Sequence, residues 1–222
     1  GDKSLSIRWV LISSLSKRKS IAFNLLKSED VMSAIKCIKI LGSKVNFKKD
    51  RCEIIGTGLK YNIKKKLTLN AGNSGTVARL ILGLLINSQK KIKLIGDKSL
   101  SKRDFSRVTE PLKRFGAKFD SERKTLPINI LGIERPKSIN YQELRGSAQC
   151  KTTVMLAALK SHGSTFIKAK KSRDHTELLF DYLKLPIKIK KKQDYDFIKI
   201  QGTKKIKSLN YRIPGDISSS AF

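Results

Sequence analysis

Asn70-Ala71-Gly72-Asn73-Ser74-Gly75-Thr76-Val77-Ala78-Arg79 runs straight into Leu80-Ile81-Leu82-Gly83-Leu84-Leu85-Ile86. The first part reads as a small-residue turn and the second as an apolar helix, with Arg79 one turn inside it. A helix start leaves backbone N–H groups free and carries a partial positive charge. Gly72 and Gly75 let the backbone approach a ligand with no Cβ in the way. Ser74 or Thr76 can cap the helix or donate to an oxygen. The stretch therefore predicts an anion site, for phosphate or carboxylate. It is not a nucleotide P-loop, because no Gly-Lys-Ser/Thr follows the glycines.

The same order of elements recurs on either side. Upstream, Trp9 to Ile12 with Leu15 is an apolar helix pattern, and Ile21 to Leu26 a strand. Ser28-Glu29-Asp30 opens a helix that ends at Gly42, and Val45–Lys48 with Cys52–Ile55 reads as a hairpin. In the middle come a helix from Asn70 to Asn87, a strand at Lys91–Ile95, a helix at Asp104–Phe115, and strands at Lys118–Asp120 and Pro127–Leu131. Downstream come a helix at Cys150–Leu159, a strand at Ser164–Lys168, a helix at Asp174–Leu185, and strands at Ile187–Lys190 and Asp196–Ile200. Helix–strand–helix–strand–strand is thus written three times, with a period of roughly 70 residues. Three copies predict pseudo-threefold packing, with sheets outward and buried helices near the axis. The first helix of each copy would then point its N-terminus at one face. Those starts carry Lys3-Ser4 with Arg8, Asn73 to Thr76 with Arg79, and Ser147-Ala148-Gln149 with Lys151. Three converging starts predict a polyanion site.

Gly96 to Arg103 nearly repeats Gly1 to Arg8 and can aim Arg103 at the same face. Arg173 opens the last long helix, where Asp174 and Glu177 read as a capping box and His175 as a helix-surface residue. Lys17 to Lys19, Lys64 to Lys66 and Lys188 to Lys192 read as solvated turns and edge-strand guards.

Formal net charge is +30, from 48 Lys+Arg against 18 Asp+Glu, and 39% of residues are hydrophobic. The charge raises nucleic acid as a partner. But the cations are interleaved with Ile along the whole chain, with no basic–aromatic repeat, so they read first as a solvated Lys-rich face and otherwise as a basic field that attracts anions. Cys37, Cys52 and Cys150 are scattered, and only His162 and His175 join them, so no metal site or disulfide framework is expected. A reducing, cytoplasmic setting fits. No apolar run reaches membrane-spanning length.

Several motifs together resemble the 5-enolpyruvylshikimate-3-phosphate synthase family. They are Gly1-Asp2-Lys3-Ser4-x-Ser6-x-Arg8, Arg51-Cys52-Glu53-Ile54-Ile55-Gly56, Gly72-Asn73-Ser74-Gly75-Thr76-x-x-Arg79, Ser147-Ala148-Gln149-x-Lys151, Arg173-Asp174-His175-Thr176-Glu177 and Pro214-Gly215-Asp216-x-Ser218-Ser219. The resemblance spans essentially the whole chain in order. The related UDP-N-acetylglucosamine enolpyruvyl transferases lack this combination.

The resemblance implies an α/β fold of three βαβαββ units, one domain of a two-domain inside-out α/β barrel. Residues 1–213 would form it, as units of about 1–60, 61–135 and 136–213. Residues 214–222 would start the crossover to a C-terminal domain of the same protein. The implied reaction moves the enolpyruvyl group of phosphoenolpyruvate to the 5-hydroxyl of shikimate 3-phosphate, releasing phosphate through a tetrahedral intermediate. It uses no metal or organic cofactor, and the family habit is a cytoplasmic monomer with no nucleic-acid or membrane partner. By position, Lys3 would touch both substrates and serve as the catalytic residue. Shikimate 3-phosphate would be held by Lys3, Ser4, Arg8, Ser147, Ala148, Gln149 and Arg173. Phosphoenolpyruvate would be held by Lys3, Asn73, Gly75, Arg103 and Gln149. Arg79 is expected to brace the glycine turn. Asp104 stands where the family usually has Pro, and Leu185-Pro186 where it usually has Gly. One domain by itself is expected to bind shikimate 3-phosphate weakly and turn nothing over. A basic nucleic-acid-binding module and a UDP-N-acetylglucosamine enolpyruvyl transferase relative are the competing readings.

Overall fold

The computed structural model describes residues 1–63, 65–120 and 124–215. Lys64 of the lysine turn lies outside the described residues, as do residues 216–222, most of the expected crossover, with Asp216, Ser218 and Ser219 of the last motif.

The first unit comprises α1 (Lys3–Ser13), β1 (Lys19–Phe23), α2 (Glu29–Ile40), β2 (Lys44–Phe47) and β3 (Arg51–Ile55). The second comprises β4 (Leu67–Asn70), α3 (Gly75–Leu84), β5 (Ile92–Ile95), a 3-10 turn at Leu100–Lys102, α4 (Ser106–Phe115), β6 (Lys118–Phe119) and β7 (Ile128–Leu131). The third comprises β8 (Asn140–Glu143), α5 (Ala148–Ala158), β9 (Ser164–Lys170), α6 (His175–Tyr182), β10 (Ile187–Lys191) and β11 (Tyr195–Gln201). A last strand, β12 (Asn210–Arg212), follows.

Each expected unit lacked one strand. β4 and β8 stand just before α3 and α5 and complete βαβαββ units. The first unit's missing strand is β12, from the far end of the described chain. The sheets are β12-β1-β3-β2, β4-β5-β7-β6 and β8-β9-β11-β10. Each begins with a parallel pair and continues antiparallel. Around β12 the chain is closed by Trp9 Nε1, which donates to the Leu209 carbonyl (3.2 Å), and by the Asp2 amide, which donates to that of Pro214 (2.8 Å).

α1, α3 and α5 are buried on nearly every side, as in a core helix. The strands of the outer sheets alternate instead. On β9, Thr165, Ile167 and Ala169 face the core, while Phe166 and Lys170 face out. Gly56, Gly132 and Gly202 each follow the last strand of a unit and lie against the end of that unit's buried helix. A Cβ there would collide with the carbonyls of Ser14, Ile86 and Ser161 respectively. The three equivalent close approaches are the clearest structural record of the repeat.

α6 stops at Tyr182, earlier than Leu185. Lys184 takes a positive φ of 52° at the place where Gly42 (102°) and Gly116 (110°) stand after α2 and α4. The same return bond closes all three helices, Ser43 N to Ile38 O, Ala117 N to Leu112 O and Leu185 N to Phe180 O.

Candidate anion-binding site

Side chains accept the first free amides of the three buried helices. Asp2 accepts from Leu5 N (2.7 Å), Ser74 from Val77 N (3.3 Å) and Ser147 from Cys150 N (3.3 Å). α3 and α5 cross at Gly83, where any Cβ would strike the Thr153 carbonyl. That closeness lets Thr153 Oγ1 donate to the Arg79 carbonyl (3.0 Å). Arg79 donates to Gln149 Oε1 (3.1 Å), to the Asp104 carbonyl (3.3 Å) and to the Gly75 carbonyl (3.4 Å), and lies over the Phe105 ring. Gln149 Nε2 donates to Thr76 Oγ1 (2.8 Å). The expected bracing role of Arg79 is what the structure displays.

Arg8 ties α1 to α5 and α6. Its Nε donates to Thr176 Oγ1 (2.7 Å), one terminal nitrogen to Thr152 Oγ1 (3.3 Å) and the other to the Ser4 carbonyl (3.0 Å). Thr152 and Thr176 hydrogen-bond each other (2.6 Å). Burial pulls the Arg8 guanidinium down to about 10, partly offset by Glu177, so it is charged at neutral pH. Thus the starts of α1, α3, α5 and α6 are stitched into one face.

Other expected residues stay accessible at that face. Lys3 is exposed and pairs with Asp30 of α2 (3.3 Å). Asn73, Arg103 and Arg173 are exposed, and Ser4, Ser147, Ala148 and Gln149 are half-buried. Gly75 lies under two guanidiniums: a Cβ there would sit 2.9 Å from a terminal nitrogen of Arg79 and 2.9 Å from one of Arg103. Asp104, in place of the usual Pro, accepts from Ser106 N (2.6 Å) and so holds the turn between Arg103 and α4.

Two expectations are corrected. Lys151 is fully buried and pairs with Glu177 of α6, which is itself buried; it does not face a ligand. Asp174 and Glu177 therefore form no capping box. The Asp174 side chain makes no cap bond and pairs with Lys191 (3.1 Å); burial raises its carboxyl, but Lys191 together with a backbone hydrogen bond and the charge of Lys151 holds it below the usual range. His175 is only half-exposed, and its Nδ1 is buried without a partner.

Sequence reading missed Thr152 and Glu143. Glu143 is buried, accepts from the Ser147 amide (2.8 Å) and pairs with Arg107 (2.6 Å). The signal for Thr152 was available, since Thr152-Thr153 stands just before the apolar run Val154 to Ala158 in a buried helix.

Backbone amides, hydroxyls, one amide side chain and several guanidiniums on one face are the donors that phosphate and carboxylate require. A model of the EPSP synthase (3-phosphoshikimate 1-carboxyvinyltransferase) family matches residues 1–222. The chain belongs to the EPSP synthase family. It is 37% identical over 225 residues to the 3-phosphoshikimate 1-carboxyvinyltransferase of Bacillus pumilus, covering 100% of this chain and 51% of that protein. It is 38% identical over 224 residues to that of Caldicellulosiruptor bescii, again over 100% of this chain and 51% of the relative. The EPSP synthase structure from Acinetobacter baumannii superposes with a TM-score of 0.89 at 30% identity, covering 100% of this chain and 50% of that one. The chain spans about half the length of the EPSP synthases it matches. Among the described residues, no helix is long and apolar enough to cross a membrane.

Proposed function

We propose that this chain is the substrate-holding domain of a cytoplasmic 3-phosphoshikimate 1-carboxyvinyltransferase, acting as a monomer with a second domain that corresponds to the half of its relatives it does not cover. Residues 1–213 are the domain, in units of about 1–60, 61–135 and 136–213, and 214–222 begin the crossover. The observation that carries the reading is the single face made by the starts of α1, α3, α5 and α6, with Arg8 fixed from within and Arg103 and Arg173 accessible at its rim.

In this reading shikimate 3-phosphate lies across α1 and α5. Ser147, Ala148 and Arg173 take its phosphate, and Lys3, Ser4, Arg8 and Gln149 take the rest. Phosphoenolpyruvate lies over α3, on Asn73, Gly75 and Arg103, with Lys3 and Gln149 between the two. Lys3 leaves Asp30 to reach them. The fixed donors stabilise charge on the tetrahedral intermediate, formed when the 5-hydroxyl oxygen adds to the enolpyruvyl carbon as its proton departs and the methylene carbon takes up a proton, and resolved when the resulting methyl group gives up a proton and phosphate leaves. Closure of the second domain excludes water, so this domain alone holds substrate without turnover.

The test is a calorimetric titration with shikimate 3-phosphate, and with shikimate as control, near physiological ionic strength. Saturable binding that needs the phosphate and is lost in Arg173→Ala is expected. Equal affinity for shikimate, or steady phosphate release by the chain alone, would overturn the reading.

A further inference from the structure

Among the described residues, the Lys151 and Glu177 side chains are buried with no hydrogen-bond partner and form an ion pair with each other. Such a pair is a poor source of stability, because desolvating two ions offsets their attraction. Its place is informative. Lys151 precedes Thr152 on α5, and Glu177 follows Thr176 on α6, and those two threonines accept the Arg8 guanidinium. The ion pair therefore joins α5 to α6 one residue away from each hydroxyl. Around the two threonines, two buried cations, Arg8 and Lys151, stand against one buried carboxylate, Glu177, with the half-buried Asp2 also acting on Arg8. Of the neighbouring carboxylates, Glu177 favours charged Arg8 more than Asp2 does.

We propose that Lys151 and Glu177 are positioning residues for the anion site. Their charge pair sets the α5–α6 spacing that keeps Thr152 and Thr176 bonded to Arg8. Glu177 balances one of the two buried cations, and the positive charge that it and Asp2 do not meet is left for the ligand's anion. This rests on the functional reading above for its ligand, but not for its geometry.

The experiment follows the Arg8 Nε–H signal by nitrogen-15 NMR in the ligand-free chain, assigned with Arg8→Lys. It should be slow to exchange and distinct from the exposed arginines. Glu177→Gln and the double variant Lys151→Met/Glu177→Leu are then compared. The double variant should melt within a few degrees of the parent, since an apolar pair of similar volume replaces a buried ion pair at little cost. Its Arg8 signal should nonetheless join the exposed set, and shikimate 3-phosphate affinity should fall about tenfold, roughly 1.4 kcal/mol. In an Arg8→Ala background, Glu177→Gln should cause no further loss, because the two act through one network. An unchanged Arg8 signal in either folded variant, or additive losses of affinity, would overturn the proposal. A parent chain that fails to bind shikimate 3-phosphate, but whose Arg8 signal still responds to Glu177→Gln, would sink the functional reading and leave the positioning role standing.

Discussion

Gly1–Arg8 and Gly96–Arg103 differ only at Ile7 against Lys102, yet they end as different objects. They begin alike. Asp2 accepts from Leu5 N at 2.7 Å, and Asp97 from Leu100 N at 2.7 Å. The Asp2 amide donates to the Pro214 carbonyl (2.8 Å), and the Asp97 amide to that of Gly72 (2.9 Å). Then they part. Ile7 is 1% exposed and leads into Trp9-Val10-Leu11, so burial carries the helix on to Ser13. Lys102 is exposed and leads into Asp104, which serves the next helix, so only one 3-10 turn forms. Arg8 is drawn inside and fixed by three acceptors, while Arg103 stays at the surface beside Gly75. The motif sets the cap, and the residues after it decide whether its arginine is a fixed or a movable cation.

The largest effect comes from exchanging the differing residue. Ile7→Lys puts an unpaired charge in the core and should cost about 3–5 kcal/mol. Lys102→Ile, on the surface, should stay within about 0.5 kcal/mol. Chemical denaturation of both variants measures the contrast, and similar losses would mean that position does not divide the two stretches. Next, Gly75→Ala should displace the Arg103 and Arg79 guanidiniums and weaken phosphoenolpyruvate binding about tenfold, with stability within about 1 kcal/mol; the Arg8 signal should not move. A smaller effect separates the caps. Asp2→Ala should cost about 1 kcal/mol, because α1 is a long buried helix, and Asp97→Ala distinctly less. Thermal unfolding of the two variants side by side gives the comparison.

The smallest effect is a pH dependence tied to Arg8. His175 is held below the ordinary histidine value of 6.5, by burial first and then by the charge of Arg8; Asp2, Arg173 and Asp174 also face it. A folded pKa below the unfolded one means that the unfolded chain takes up the proton first. Stability is then fully present above 6.5 and falls as pH drops from there through the lowered folded pKa. His175→Gln should flatten that part of the stability curve, and a variant curve parallel to the parent's would count against it.

The helices α2, α3 and α5 were legible because Ser28, Ser74 and Ser147 announce their starts and apolar positions follow. The threefold order was legible because element types recur at similar spacing. The strands β4, β8 and β12 were not. Leu67–Asn70 is short, Asn140-Tyr141-Gln142-Glu143 has no apolar run, and β12 owes its existence to pairing with β1 across the chain. At the site, the helix starts were read as anion-binding, and the structure gathers them. The burial of Lys151 escaped sequence reading for a physical reason. A cation one turn into a helix reads as ligand-facing unless its carboxylate is known, and Glu177 comes from another helix.

The central claim is that the converging helix starts, rather than the lysine-rich sheets, hold the anion. Backbone amide shifts on titration with shikimate 3-phosphate test it most directly. The account expects the largest shifts at Ser4, Asn73 to Thr76, Ser147 to Gln149 and Arg173, saturating together. Shifts centred instead on Lys188 to Lys192 and the other sheet lysines, rising without saturation and fading with salt, would contradict it.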